Sequence, residues 1–423
     1  MKVGQVITAI DIGTTKISVI IAEINVDNKL EVKGIGNSKS NGMVNGIVVD
    51  IMKASKSMQD AISEAEEMAG SGFKAKNIYV GIAGEHIKSQ NTIGRISLTS
   101  GAQPCDIDQQ HVENVISNSR NNVKIQQGNE RLEIIHAIPQ YFKIDDQDGI
   151  MNPVNMSGFN LSAHVHIVMA DINALRNINK CVELAGYKVL ESYLEPIASS
   201  HAVLDDVEKE LGSIIIDIGG GTTDIAIFYK DSIRFSAVLP IGGKNITHDI
   251  SVGLHTSPQN AEKLKLELGN SISDNIPIDK VIEIEGIGGR ETQKKKLKYM
   301  TEIIEARMRE IFEGAYKLLS EHHDLELITA GLVLTGGASL LKNSNTLADQ
   351  IFNMPTKIGY PYLSNLAGPT ERLENPKYAT TVGILYYVFD ELKEQDEKIS
   401  NIKIRNSFTN FWQKVKEFFQ DYF

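Results

Sequence analysis

"ITAIDIGTTKISVIIAEI" (Ile7–Ile24) and "GSIIIDIGGGTTDIAIFYK" (Gly212–Lys230) repeat one device. Each string starts as an apolar, β-branched run, reaches Asp-Ile-Gly, passes through Thr-Thr and returns as a second apolar run. Such runs predict buried strands, joined in each copy by a Gly-Thr turn into a hairpin. Glycine lets the backbone approach a ligand closely, and consecutive N–H groups then make an anion-binding concavity to which Thr hydroxyls add donors. Asp11 and Asp217 end the first strand of each copy, where a carboxylate holds a magnesium ion through water. An ordinary tight hairpin is the plainer reading of one copy alone. Two matching copies, about half a chain apart, predict two similar lobes, each gripping one side of a nucleotide's phosphates.

A third glycine element fits the same scheme. "ITAGLVLTGGASLLKN" (Ile328–Asn343) reads as an apolar strand, a turn at Gly336, Gly337 and Ala338, and the start of a helix. A small-residue turn of that kind lies flat beneath an adenine or ribose. In order along the chain, the three elements resemble the nucleotide site of the actin-like ATPases.

Composition bounds the rest. With 423 residues the chain is too long for one hydrophobic core. A net charge of −11 argues against a protein that coats nucleic acid. Cys105 and Cys181 have no metal-ligand spacing and read as free thiols of a reducing compartment. The start of the chain shows no secretory pattern, and no apolar stretch is long enough to span a bilayer.

The middle of the chain narrows the resemblance. Arg131–Asp171 contains His136, Pro139, Gln140, Asp145, Asn152, Pro153, Ser157, Gly158 and Leu161 in a pattern similar to that of the bacterial cell-division family FtsA. Asn155 departs from it by standing where the family commonly has glycine, but Asn tolerates the left-handed conformation. The resemblance covers nearly the whole chain. It implies an α/β, actin-like ATPase fold: two lobes with duplicated βββαβα cores, two small inserted subdomains and a C-terminal amphipathic helix. The expected division is 1–85 with 365–395 for the core of lobe one and 86–163 for an inserted subdomain that contacts neighbouring subunits. Lobe two is expected at 164–238 with 301–364, its small subdomain at 239–300, a linker at 396–405 and the tail helix at 406–423.

The resemblance also assigns roles, motif by motif. Asp11, Gly13, Thr14 and Thr15 form the first phosphate loop, with Lys16 facing either the phosphates or solvent. Asp217, Gly219, Gly220, Gly221, Thr222 and Thr223 form the second. Gly336, Gly337 and Ala338 underlie adenosine. Glu262 and Lys265 correspond to the helix that offers a Glu and a Lys to ribose and adenine; three apart on a helix, they also suit a surface ion pair. Glu195 corresponds to the acid that orients the attacking water, and alternatively is a first-turn acid favoured by the helix dipole ahead of Pro196. ATP and magnesium are the implied cofactors, with weak hydrolysis at most.

In the tail, Phe408, Phe411, Trp412, Val415, Phe418, Phe419, Tyr422 and Phe423 recur at the spacing of one helix face. Packing on the protein itself would satisfy such a face, but the charged linker before it and the chain's sole Trp favour a membrane interface. Lys414 and Lys416 are offset by Glu417 and Asp421, so attraction to anionic lipid is weak. Partial burial of eight side chains at about 1 kcal/mol each is largely offset by ordering about 16 residues at a similar cost. One tail is therefore a reversible anchor, and several on a polymer bind cooperatively. The reading as a whole is an actin-fold protein that polymerises and tethers filaments of the tubulin-like FtsZ to the inner face of the cell membrane at the division septum, with other division proteins as further partners. FtsZ would dock on 239–300. A pilus-assembly scaffold of the same fold and a small-molecule kinase of the superfamily are the alternatives.

Overall fold

The computed structural model describes residues 3–99, 101–123, 132–394 and 396. Two mixed sheets dominate it, and they are built alike. In the first, Val6–Ile12, Lys16–Ile24 and Leu30–Lys39 form an antiparallel meander. Ile78–Ile82 then pairs parallel with Val6–Ile12, and Val189–Leu194 pairs parallel with Ile78–Ile82. In the second, Ser213–Ile218, Thr223–Tyr229 and Ser232–Leu239 form the meander. Gly331–Thr335 and Thr356–Ile358 add to it in parallel. Both repeated strings are therefore hairpins, at equivalent places in equivalent sheets.

Period-two alternation explains how each sheet buries both faces. Ile7 and Ala9 point into a core shared between the sheets, while Ile10 and Ile12 point under helices Ile51–Ala69 and Ile172–Leu184. In the second sheet Ile215 joins the shared core, whereas Ile214 and Ile216 pack beneath Gly243–Leu254, Leu297–Ser320 and Ser344–Phe352. Helix Glu195–Val203 and the helix over residues 379–394 fill the shared core, contributing Ile197, Ala198, Val382 and Ile384.

One expected boundary is wrong. Residues 164–194 do not open the second lobe. Asn160–Asp171 is a central strand of the inserted subdomain's four-stranded sheet, paired with Ile87–Ser97 on one side and Leu132–Ile144 on the other. Helix Ile172–Leu184 and strand Val189–Leu194 then complete the first lobe. The second lobe shows why: there, strand 331–335, helix 344–352 and strand 356–358 follow one another directly. In the first lobe the matching strand 78–82 and helix 172–184 are separated by the insert. "HVHIVMA" followed by a helix has the pattern of a new βα unit, which is why sequence alone starts a lobe there. Within the insert, helix Gln109–Asn121 covers a core of Val115, Phe142, Leu161, Val165 and Ile167. Asn155 adopts φ +67°, the left-handed turn its position needs.

The linker and tail helix expected over 396–423 lie outside the described residues, save Asp396. No helix among the described residues is long and apolar enough to cross a membrane.

The helix over 379–394 crosses Glu195–Val203 without a side chain between them: any Cβ at Gly383 would run into the Ala198 carbonyl. Gly383→Ala therefore tests the packing by its sign. Helix propensity alone would raise stability by up to about 1 kcal/mol, whereas a forced separation lowers it by about 1–3 kcal/mol. Urea unfolding is expected to show the loss.

Candidate functional site

The two Gly-Thr turns meet face to face. A methyl group on Gly220 would lie 2.5 Å from the Thr15 side chain, and one on Gly221 would lie 2.5 Å from Thr14 Oγ1. Only glycine permits this approach, so the extra glycines of the second copy are the side that yields. Thr14 is buried, and its Oγ1 accepts from the Gly46 N–H at 3.3 Å. Gly219 N donates to Thr222 O at 2.9 Å, closing the second turn. The carbonyls of Gly219 and Gly220 accept from Gly243 N and Lys244 N at 2.9 and 2.8 Å. The N-terminus of helix Gly243–Leu254 is thus docked on the loop.

Carboxylates collect beneath the turns. Asp217 is buried and accepts from Ser199 Oγ at 2.8 Å. Burial raises its pKa to about 6 against the opposing help of Ser199, Thr380 and Lys16. Asp11 is likewise raised to about 6 by burial, with Lys16 opposing and Asp217 adding repulsion. Glu195, the first residue of its helix, is held well above the usual carboxylate range by burial and by Asp11, Asp224 and Asp217. It is both a first-turn acid and a neighbour of these three acids.

Asp224 escaped the sequence reading. It sits directly across the hairpin from Asp217, and like charges so placed repel. It is 1% exposed and raised well above its ordinary value by burial and by Asp217. Its Oδ2 accepts from Thr222 Oγ1 at 3.2 Å, while Oδ1 is buried without a partner. The signal was present: a two-strand hairpin closed by Gly-Gly-Gly-Thr sets Asp217 opposite Asp224, whereas the first hairpin sets Asp11 opposite Ser18.

Lys16 lies close enough to Asp11 and Asp217 to act on both. Its Nζ donates to Lys377 O at 2.9 Å and lies 4.2 Å from the centre of the Tyr378 ring. Burial lowers its pKa to about 8, with Asp11 opposing.

The third element joins the same site. Gly336 takes φ +82° against the Asp217 carboxylate, and Gly337 presents open space. A single 3-10 turn, Gly337–Leu340, follows it, and the α-helix begins only at Ser344. Lys265 is buried, and its Nζ donates to Gly243 O at 3.0 Å and pairs with Glu262 at 2.7 Å. Thr247, unanticipated, bonds Glu262 through its hydroxyl. A Cβ on Gly243 would lie 3.3 Å from Ala338 and 3.6 Å from Lys265 Nζ. Lys265, Ala338 and the second Gly-Thr turn therefore lie around Gly243, with Lys265 buried and its partner Glu262 still partly exposed.

The motif residues of the insert hold it in place. His136 Nε2 accepts from Leu194 N at 3.1 Å, just before Glu195, and burial lowers its pKa to about 4, which keeps it a neutral acceptor. Gln140 donates to Ile233 O at 2.9 Å, tying the insert to the second sheet.

Comparison with known proteins points to one family. The family described as cell division protein FtsA matches residues 214–383, and the SHS2 domain inserted in FtsA matches residues 84–169. Cell division protein FtsA of Pseudomonas aeruginosa is 38% identical over 385 residues, 91% of this chain and 89% of the relative. That of Escherichia coli K12 is 33% identical over 394 residues, 90% of each. The chain belongs to the FtsA family. It is a cell-division protein of actin-like ATPase fold. Among solved structures, the PilM–PilN type IV pilus biogenesis complex matches at 14% identity and TM-score 0.63, covering 89% of this chain and 96% of the other. MreB5 of Spiroplasma citri bound to AMPPNP matches at 15% identity and TM-score 0.54, covering 94% and 99%. At such identities the likeness is one of fold, so the pilus alternative gains nothing from it. The FtsA match over nine-tenths of the chain favours neither that scaffold nor a small-molecule kinase.

The raised carboxylates give a prediction with a definite sign. Folded Asp217 holds its proton more tightly than the unfolded chain does, so its contribution to stability falls as pH rises from about 4 through about 6. Asp217→Asn, which keeps an oxygen for Ser199, is expected to stabilise the ligand-free protein by about 1–3 kcal/mol at pH 7. The gain shrinks toward pH 4. Thermal melts at the two pH values check it.

Proposed function

We propose that this seam binds ATP with magnesium. What carries the reading is the direct apposition of the two Gly-Thr turns over Asp11 and Asp217, continuous with the turn at Gly336, Gly337 and Ala338. The residues present fit a hydrated cation. Among the described residues no three His, Cys, Asp or Glu side chains are placed to ligate a metal directly. Asp11 and Asp217 would hold magnesium through water, and the unpartnered Asp224 Oδ1 is a further acceptor for a water of its shell. The metal would supply charge neutralisation at the phosphates. The chain's own groups supply backbone N–H donors from both turns, an adenosine platform at Gly336–Ala338 with Glu262 and Lys265 beside it, and Glu195 to orient a water. Hydrolysis is weak in this reading, because the nucleotide chiefly governs lobe closure and polymerisation. Asp217→Ala is expected to weaken magnesium-ATP binding at least tenfold in a folded protein. Calorimetry showing unchanged magnesium-dependent affinity overturns the assignment.

Membership of the FtsA family supports a wider role. The protein polymerises, with the inserted subdomain at the joint between subunits, and ties FtsZ filaments to the cytoplasmic face of the cell membrane at the septum. The FtsZ C-terminal peptide docks on the small subdomain within 239–300, where Val252, Leu266, Ile287 and Tyr299 are exposed. The amphipathic pattern from Phe408 to Phe423 is the membrane anchor. Trp412→Glu is expected to release the protein from vesicles while ATP binding persists, with little dependence on anionic lipid in the parent. Vesicle sedimentation in which the variant pellets as well as the parent excludes the tail as anchor.

A further inference from the structure

Asp217 is held by hydroxyls from two helices that belong to neither phosphate turn. Ser199 Oγ donates to Oδ2 at 2.8 Å, and Thr380 Oγ1 reaches the same oxygen at 3.4 Å. The two hydroxyls lie 3.1 Å apart. All three residues are buried, Ser199 completely. Ser199 lies within helix Glu195–Val203, which leads from the first sheet toward the second, and Thr380 opens the helix over 379–394. These are the helices in contact at Gly383 and Ala198.

Thr380 uses both branches of its side chain. Its methyl faces Gly81 of the first sheet, where an added Cβ would sit 3.0 Å away, while its hydroxyl turns to Asp217 of the second sheet. One side chain thus spans the seam. The Asp217 carboxylate needs such restraint. Its terminal torsion is intrinsically broad, its cross-strand neighbour Asp224 repels it, and Gly336 is the only residue type that leaves room for Oδ1.

We propose that Ser199 and Thr380 are positioning residues that fix the orientation of the Asp217 carboxylate and tie it to the angle at which the two interlobe helices cross. This rests on the reading of the seam as a magnesium-nucleotide site.

The substitutions separate the two branches. Thr380→Val keeps the methyl against Gly81 and removes the hydroxyl; Thr380→Ser does the reverse; Ser199→Ala removes the other donor and serves where Thr380→Val does not fold. ATP is titrated calorimetrically into the full chain with magnesium and again with EDTA, after melts confirm folding. Loss of a hydrogen bond to a charged group corresponds to about a tenfold loss of affinity for Thr380→Val and for Ser199→Ala in magnesium. Thr380→Ser is expected to stay within about twofold of the parent, and all four proteins to agree within about twofold in EDTA. Parent-like magnesium-ATP affinity in both Thr380→Val and Ser199→Ala, or equal losses with and without magnesium, overturns the positioning role alone. A parent that binds no magnesium-ATP overturns the functional reading, and this role with it.

Discussion

Asp11, Asp217, Asp224 and Glu195 share the seam between two sheets, where burial holds all four above their ordinary pKa and neighbouring acids add repulsion at Asp11, Asp224 and Glu195. Such a cluster opposes folding at neutral pH, and much of the surrounding architecture serves to keep it in place. The shared apolar core on which both sheets close supplies the cohesion. Glycines at 220 and 221 let the turns above the acids meet. Docking of helix Gly243–Leu254 onto the carbonyls of Gly219 and Gly220 fixes the second turn from behind.

The inserted subdomain is part of this construction rather than an appendage. Through His136 it fixes the backbone just ahead of Glu195, and through Gln140 it reaches the edge strand of the second sheet. His166, buried between Asn91 and Ser236, adds a third tie, with burial lowering its pKa to about 3 so that it stays neutral. A subdomain attached to both lobes moves when the lobes move.

The duplicated core and both Gly-Thr turns were legible in sequence because each is local: a β-branched run, an Asp, glycines and two threonines within about twenty residues. The boundary at residue 164 was not, because a long insert separates a strand from the helix that completes its unit, and the strand leading back carries the same apolar pattern as a new start. Asp224 was missed although pairing register places it opposite Asp217. Ser199, Thr380 and Thr247 carry no local signal; they matter through helices brought together by tertiary packing. Lys16 could not be oriented from sequence, since its partners Lys377 and Tyr378 lie at the far end of the chain. Of Glu262 and Lys265, which read equally as a surface pair, only the lysine is buried, against Gly243, and that contact has no local signal.

The central claim is that this acidic seam is built to receive a cation-bound anion. Proton linkage tests it most directly. Magnesium-ATP is an anion overall, but in this account the dication lies nearest Asp11 and Asp217, so acids held near pH 6 without ligand lose protons on binding, whereas Lys16, with a pKa of about 8, is already charged at that pH. Calorimetric titration of magnesium-ATP into the full chain, between pH 6 and 7 in buffers of different ionisation enthalpy, counts those protons. The account predicts net proton release on binding; proton uptake, or no dependence of the heat on buffer, would contradict it.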